Sequence, residues 1–272
     1  MEAIEIPDWE TFEQKVRELR ARYTAETSPL LFRGQGNSEW LLKTTLERSG
    51  AERMLFSEYY MLTCASMRPE IRTFAHVDVP DFDRRWSSRY FLRPGLLYEI
   101  GDVFPTPLYR YMAYLRHFGF PSPLLDWSRS PFVAAFFAFR DDPSGEKPEK
   151  RSIFGYCERP QGMKGGTLGQ PQIRAIGPYV ETHERHFRQR CDYTICGEFD
   201  ENYGWRFASH QDVFDHQHTR QDRLWRFDIP SSERTKILRV LSDYNLNAFS
   251  LFGSEESLLE TMWLREYVLR KR

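Results

Sequence analysis

A chain of 272 residues that is 40% apolar and 15% aromatic, with 21 Phe, 14 Tyr and 7 Trp, can build a sizeable core, which excludes a disordered protein. Lys and Arg number 38 against 39 Asp and Glu, and a net charge of −1 excludes a global field that would draw in nucleic acid or an anionic membrane. Cys64, Cys157, Cys191 and Cys196 are too few and too irregularly spaced for a disulfide framework or a CxxC knuckle, so free thiols in a reducing compartment are expected.

Met1 to Arg20 carries charges every few residues and lacks the apolar core of a signal peptide, and no apolar run is long enough to span a membrane. A cytoplasmic protein is the expectation. Within that opening, Trp9, Phe12, Val16, Leu19 and Tyr23 recur at helical spacing after Asp8, a suitable N-cap, which predicts a helix over about 8–23. Leu30-Leu31-Phe32 then reads as a short strand ending at Arg33, with Gly34-Gln35-Gly36-Asn37 as a turn. Ala51 to Arg72 has helical spacing, and Asp78 to Pro94, polar and broken by proline, reads as a surface excursion.

Leu108 to Phe118 is again helical in pattern, and Gly119, Pro121 and Pro123 end it. Leu124 to Ser130 reads as a rigid polar loop, and Ser130 with Pro131 opens a buried helix through Phe139. Asp141 to Arg151 is a charged loop and Ser152 to Cys157 a strand. Pro160 to Gly169 holds four glycines without the order of a P-loop or a dinucleotide fingerprint, and reads as a mobile loop. Tyr193 to Cys196 and Trp225 to Ile229 are strand candidates, with helices over Ser231 to Tyr244 and Ser254 to Arg270. The expected class is α+β, one compact domain with a mixed or antiparallel sheet and flanking helices.

Arg33 follows three apolar residues, so its guanidinium is expected to be half buried and in need of partners: a phosphate or carboxylate ligand, or an internal Asp or Glu. Gly34 and Gly36 would let backbone N–H groups approach an anion. His117 with Asp126 reads either as a base and its orienter or as two groups satisfying local backbone. His183, His186, His210, His216 and His218 cluster loosely without a recognisable ligand frame, so no metal is predicted. Arg185 to Arg190 is a basic stretch, suited to phosphates or to a solvated edge.

Leu31 to Asn37 with Trp40 and Leu42, then His117-Phe118-Gly119-Phe120-Pro121-Ser122-Pro123-Leu124-Leu125-Asp126-Trp127-Ser128 with Pro131, Ala134 and Phe137, resembles the FRG-domain family over roughly residues 30–265. The sequence departs at Ser122-Pro123, where the family commonly shows Thr-Arg. The order of an arginine on an early strand, a Ser block leading into an Ala/Phe helix, and a polar residue before a later strand is also similar to ADP-ribosyltransferases. That resemblance implies an ADP-ribosyltransferase-like sheet core and NAD as substrate. Arg33 and Gly34 would bind its phosphate or ribose, and Trp127, Ser128 and Ser130 would brace the nicotinamide.

Gln189 falls where those enzymes place a catalytic glutamate, with Asp126, Glu198 or Glu201 as other sources of negative charge and His117 as a further catalytic candidate. The implied protein is a bacterial toxin or anti-phage effector that modifies a protein or nucleic acid acceptor. Its implied partner is an antitoxin or an associated effector. The alternatives are a non-catalytic recognition module for a nucleotide or protein, and a nuclease with His117 as base.

Overall fold

The computed structural model describes residues 1–23, 26–94, 96, 104–141, 147–215 and 220–270. Among the described residues, eight strands form one sheet: β1 (Glu2–Glu5), β2 (Leu31–Gln35), β3 (Leu125–Ser128), β4 (Lys150–Cys157), β5 (Gln172–Ala175), β6 (Cys191–Asp200), β7 (Gly204–Phe207) and β8 (Arg223–Pro230). Their order is β1-β8-β4-β2-β3-β6-β5, with β7 on the far part of β6. Only β1 on β8 is parallel among these pairings, so the sheet is mixed and the α+β expectation is met.

The helices follow from capping and periodicity. Asp8 caps α1 (Trp9–Arg22) by accepting from the Thr11 amide at 2.8 Å. A short α2 (Thr45–Arg48) is closed by a capping box between Thr44 and Glu47. Beyond it, α3 (Phe56–Met61), α4 (Arg68–Phe74), α5 (Arg84–Phe91) and α6 (Thr106–His117) pack Phe56, Tyr59, Phe91 and Met112 against Tyr193 and Trp205 of the β6–β7 end. Helix α7 (Pro131–Phe139) begins at Pro131 with Ser130 as its cap, as the sequence predicts. It is apolar all round because it is covered on all sides, by β2, β4 and a later helix. The remaining helices are α8 (Glu184–Arg188), α9 (His210–Asp215), α10 (Arg234–Asp243), α11 (Ala248–Phe252) and α12 (Glu255–Trp263). Phe12, Phe136, Phe227, Ile237 and Leu241 form the core on the α1/α7/α10 face, and Leu31, Trp127, Phe154 and Tyr156 form that of the other face.

Several expectations are corrected. Strand β2 does not end at Arg33 but continues through Gly34 and Gln35, because β4 pairs with all five of its residues. Leu124 to Ser130 is not a loop: Leu125–Ser128 is strand β3, held by β6 over four residue pairs. The excursion at Asp78 to Pro94 contains α5, and Val79 and Phe91 are buried in the core. The helix expected over Ala51 to Arg72 is interrupted by a π-helical turn at Leu62–Ser66. Strands β1, β5 and β7 were not expected at all; each is four residues long and has too little alternation to read. The glycine-rich stretch is anchored rather than loose. Lys164 inserts its ammonium between Asp222, at 2.6 Å, and Glu158, at 3.5 Å, and also donates to the Ile173 carbonyl. The charged loop at Asp141 to Arg151 lies partly outside the described residues, as do His216 and His218.

Candidate functional site

A cleft opens where two neighbouring strands part. Strands β2 and β3 meet only at Phe32 and Ser128, whereas each is paired over four or five residues with its other neighbour. Past that single pair the strands diverge, and a cavity of about 200 Å³ lies between them, lined by Arg33, Gly34 and Gln35 from β2, Asp126, Trp127 and Ser128 from β3, and Trp40, Arg48, Phe137, Gln189 and Cys191 around them.

Gly34 lines this cavity and also meets a packing requirement of the fold. A Cβ built on it would overlap the Ala134 carbonyl oxygen and stand 2.6 Å from the Ala138 amide nitrogen, so glycine here lets α7 lie directly on β2. Arg33 is largely buried, its side chain 11% exposed, and meets Asp126 twice: Nη1 donates to the Asp126 carbonyl at 2.7 Å and lies 3.0 Å from Oδ1. Arg116, at the end of α6, binds the same Oδ1 through Nε at 3.2 Å and Nη2 at 2.6 Å. Burial alone would raise the Asp126 carboxyl, but Arg116 and Arg33 together hold it well below the ordinary carboxylate range. The Nε of Arg33 is buried without a hydrogen-bond partner among the described residues, as is Oε1 of Gln35.

Arg48 adds a third guanidinium at the mouth. It has no side-chain hydrogen bond or ion pair among the described residues; desolvation against the pocket wall lowers its pKa first, then repulsion from Arg33 and Arg116. Trp40 is 46% exposed beside it. Arg116 and Arg48 were not singled out from sequence, since each is an ordinary arginine at the end of a helix, and only the fold brings Arg116 onto Asp126 and Arg48 to the cavity.

The structure brings Arg33, Gly34, Asp126, Trp127, Ser128 and Gln189 to one cavity, but most of their polar atoms are engaged. Ser128 Oγ donates to the Gln189 carbonyl at 2.7 Å and accepts from the Ser130 amide at 3.0 Å. Ser130 Oγ caps α7, and the Trp127 indole donates to Thr194 Oγ1 at 2.9 Å. Gln189 spends its amide on the Leu251 carbonyl and accepts from the Cys191 thiol. His117 does not pair with Asp126. Its Nε2 is 2.9 Å from the Tyr193 hydroxyl, and burial lowers its pKa to about 4 against the opposing pull of Asp126.

Glu198 is salt-bridged to Arg206 at 3.1 Å and borders another cavity with Lys43 and Arg53, and Glu201 sits in the β6–β7 turn, so neither supplies charge to the cleft. The loose histidine cluster is also divided. His183 caps α8, His186 is buried beside Tyr193, and His210 is buried against Thr194. In the basic stretch, Arg185 donates to the Phe252 carbonyl and Arg188 pairs with Glu184, while Arg190 is exposed.

Residues 28–147 match the FRG domain family, and the chain carries an FRG domain over that range. The match takes in both motif blocks and ends before β4, a shorter span than the 30–265 suggested by the motifs. No curated protein and no solved structure shows significant similarity to the chain. No helix among the described residues is long and apolar enough to cross a membrane.

Proposed function

We propose that the β2/β3 cleft of this FRG domain binds a nucleotide through its phosphate, with NAD as the first candidate, and that recognition rather than proton-transfer chemistry is what these residues perform. The observation that carries this reading is the charge balance: Arg33 and Arg116 both pair with the Asp126 carboxylate, and Arg48 stands at the mouth close enough to be repelled by both of them, without an ion pair of its own among the described residues. An anion at the mouth would relieve that excess and give Arg48 the bidentate partner its planar fork suits. Trp40 offers a stacking face for a base or nicotinamide ring. A cavity of about 200 Å³ encloses only part of such a ligand, one phosphate and its neighbouring ring, with the rest over the rim.

A second reading is ADP-ribosyl transfer to a macromolecule by a toxin or phage-defence effector, on an ADP-ribosyltransferase-like sheet. One observation favours it: Arg33, Ser128 and Gln189 share one cavity, as that resemblance implies. Against it, the cationic ribose formed when nicotinamide leaves needs nearby negative charge. Gln189 is neutral, and the charge of Asp126 is outweighed by its arginines. The nuclease reading is weaker still, because the His117 Nε2 is turned to Tyr193.

The test is calorimetric titration with NAD, ADP-ribose and pyrophosphate, run beside transfer of labelled NAD into protein, RNA and DNA fractions of a bacterial lysate. Saturable binding that Arg33→Ala abolishes and Arg48→Ala weakens about 10-fold or more is expected, since a charge-assisted hydrogen bond contributes about 1.5–3 kcal/mol. Label transfer lost in Arg33→Ala would establish the transferase instead. Absence of binding by any of the three ligands would overturn the phosphate site.

A further inference from the structure

At its Cys191 wall the cleft adjoins a second cluster of side chains that the phosphate reading does not use. His117 ends α6, His186 lies in α8, and Cys191 and Tyr193 are two residues apart on β6, so both point to the same face of the sheet. His186 and Cys191 are buried, and ligating atoms of His117, His186 and Cys191 all lie within 4.8 Å of one another. The Tyr193 hydroxyl sits among them, 2.9 Å from His117 Nε2 and 3.2 Å from His186 Nδ1.

We propose that His117, His186, Cys191 and Tyr193 form a site for a zinc-class divalent cation. With bonds of about 2.0–2.1 Å to nitrogen and 2.3 Å to sulfur, neighbouring donors in a tetrahedral zinc site with one thiolate stand about 3.3–3.6 Å apart. The spacings here, 2.9 and 3.2 Å at the hydroxyl and up to 4.8 Å among the other donors, bracket that range. Shifts of under about 1 Å would close the shell.

The outer hydrogen bonds prepare the donors. His186 Nε2 lies 3.1 Å from the Pro178 carbonyl, which can only accept. That nitrogen therefore carries the proton, and Nδ1 presents its lone pair to the cluster, the carbonyl–histidine arrangement that orients metal ligands. The Cys191 thiol donates to Gln189 Oε1 at 3.6 Å and also meets the Tyr193 hydroxyl. On binding, its proton leaves to solvent and a thiolate–metal bond forms, with no change in oxidation state. Two imidazoles, one thiolate and one phenol oxygen favour zinc over magnesium or calcium, which prefer oxygen alone. A bound ion would tie the end of α6 to β6 and so fix the neighbouring Arg116 against Asp126.

The full chain should be incubated with zinc sulfate, desalted and assayed for metal, and separately loaded with cobalt(II) for absorption spectroscopy. About one zinc per chain, a raised Tm that chelator reverses, and a thiolate-to-cobalt charge-transfer band are expected. Cys191→Ser, which keeps size and fold, should remove the band and weaken zinc binding roughly 100-fold; His117→Gln should lower affinity while leaving the band. A hydrogen-bonded hub without metal would show no zinc retention and no chelator effect on Tm. That result, or a cobalt spectrum unaltered by Cys191→Ser, would overturn the site.

Discussion

Replacing Gly34 with alanine tests the contact on which the cleft is built. The added Cβ would overlap the carbonyl oxygen of Ala134 and stand 2.6 Å from the amide nitrogen of Ala138. Both are backbone atoms inside α7, so neither can swing aside as a flexible side chain would. Either the helix lifts off β2 or the strand bends away from β4. Overpacking a tight core costs about 1–3 kcal/mol and sometimes more, and a rigid backbone obstacle puts Gly34→Ala at the upper end, near 3 kcal/mol. For a chain of this length that lowers Tm by about 5 °C.

Gly155→Ala is the matched control. A Cβ there meets the Phe227 ring at 3.5 Å, an ordinary contact, and alanine should leave stability unchanged or raise it by about 0.5–1 kcal/mol. Differential scanning calorimetry on both variants reads the difference. If Gly34→Ala melts within about 1 °C of the parent, the helix does not lie on β2 as described and the cleft's inner wall has been misread.

Lys164→Met should cost about 3 kcal/mol, because it leaves Asp222 buried without its cation, while Glu158 keeps its longer contacts with Arg174 and Arg159. Chemical denaturation measures the loss, and limited chymotrypsin digestion should cut near Leu168 in the variant first; equal stability would show that the ammonium is dispensable. His210 supplies a pH dependence. Burial, then repulsion from Arg33, lowers its pKa to about 3 against the raising effect of the Thr194 hydrogen bond. The unfolded chain takes up this proton below about pH 6.5 and the folded chain does not, so the stabilisation is complete above pH 6.5 and is lost as pH falls toward 3. His210 should account for about 2 kcal/mol of the loss between pH 7 and 5, with His117, also lowered by burial, contributing a similar share, so His210→Gln should reduce that slope by about half in urea titrations; an unchanged slope would mean His210 does not contribute.

What could be read locally in the sequence was what neighbours along the chain determine. Asp8 and Ser130 announced their helices because a cap acts within three residues, and the wholly apolar Phe132 to Phe139 declared a covered helix. The need of Arg33 for a partner also followed from its apolar flank, though not which partner. The Phe-Arg-Gly block and the Asp-Trp-Ser block fitted one family, and residues 28–147 match it.

Contacts between distant segments were not legible. Arg116 and Asp126 are ten residues apart with a helix end between them, and nothing in the intervening prolines says that the chain turns them onto each other. The short strands β1, β5 and β7 exist because longer neighbours supply their hydrogen bonds, and Lys164 is buried because the acids that receive it, Glu158 just past β4 and Asp222 just before β8, are brought together by the sheet. Spacing along the chain encodes which face a residue shares with its near neighbours. Whether Asp126 serves as a base or as an ionised anchor for two arginines depends on charges brought within about 3 Å by the sheet, and only the tertiary structure decides that.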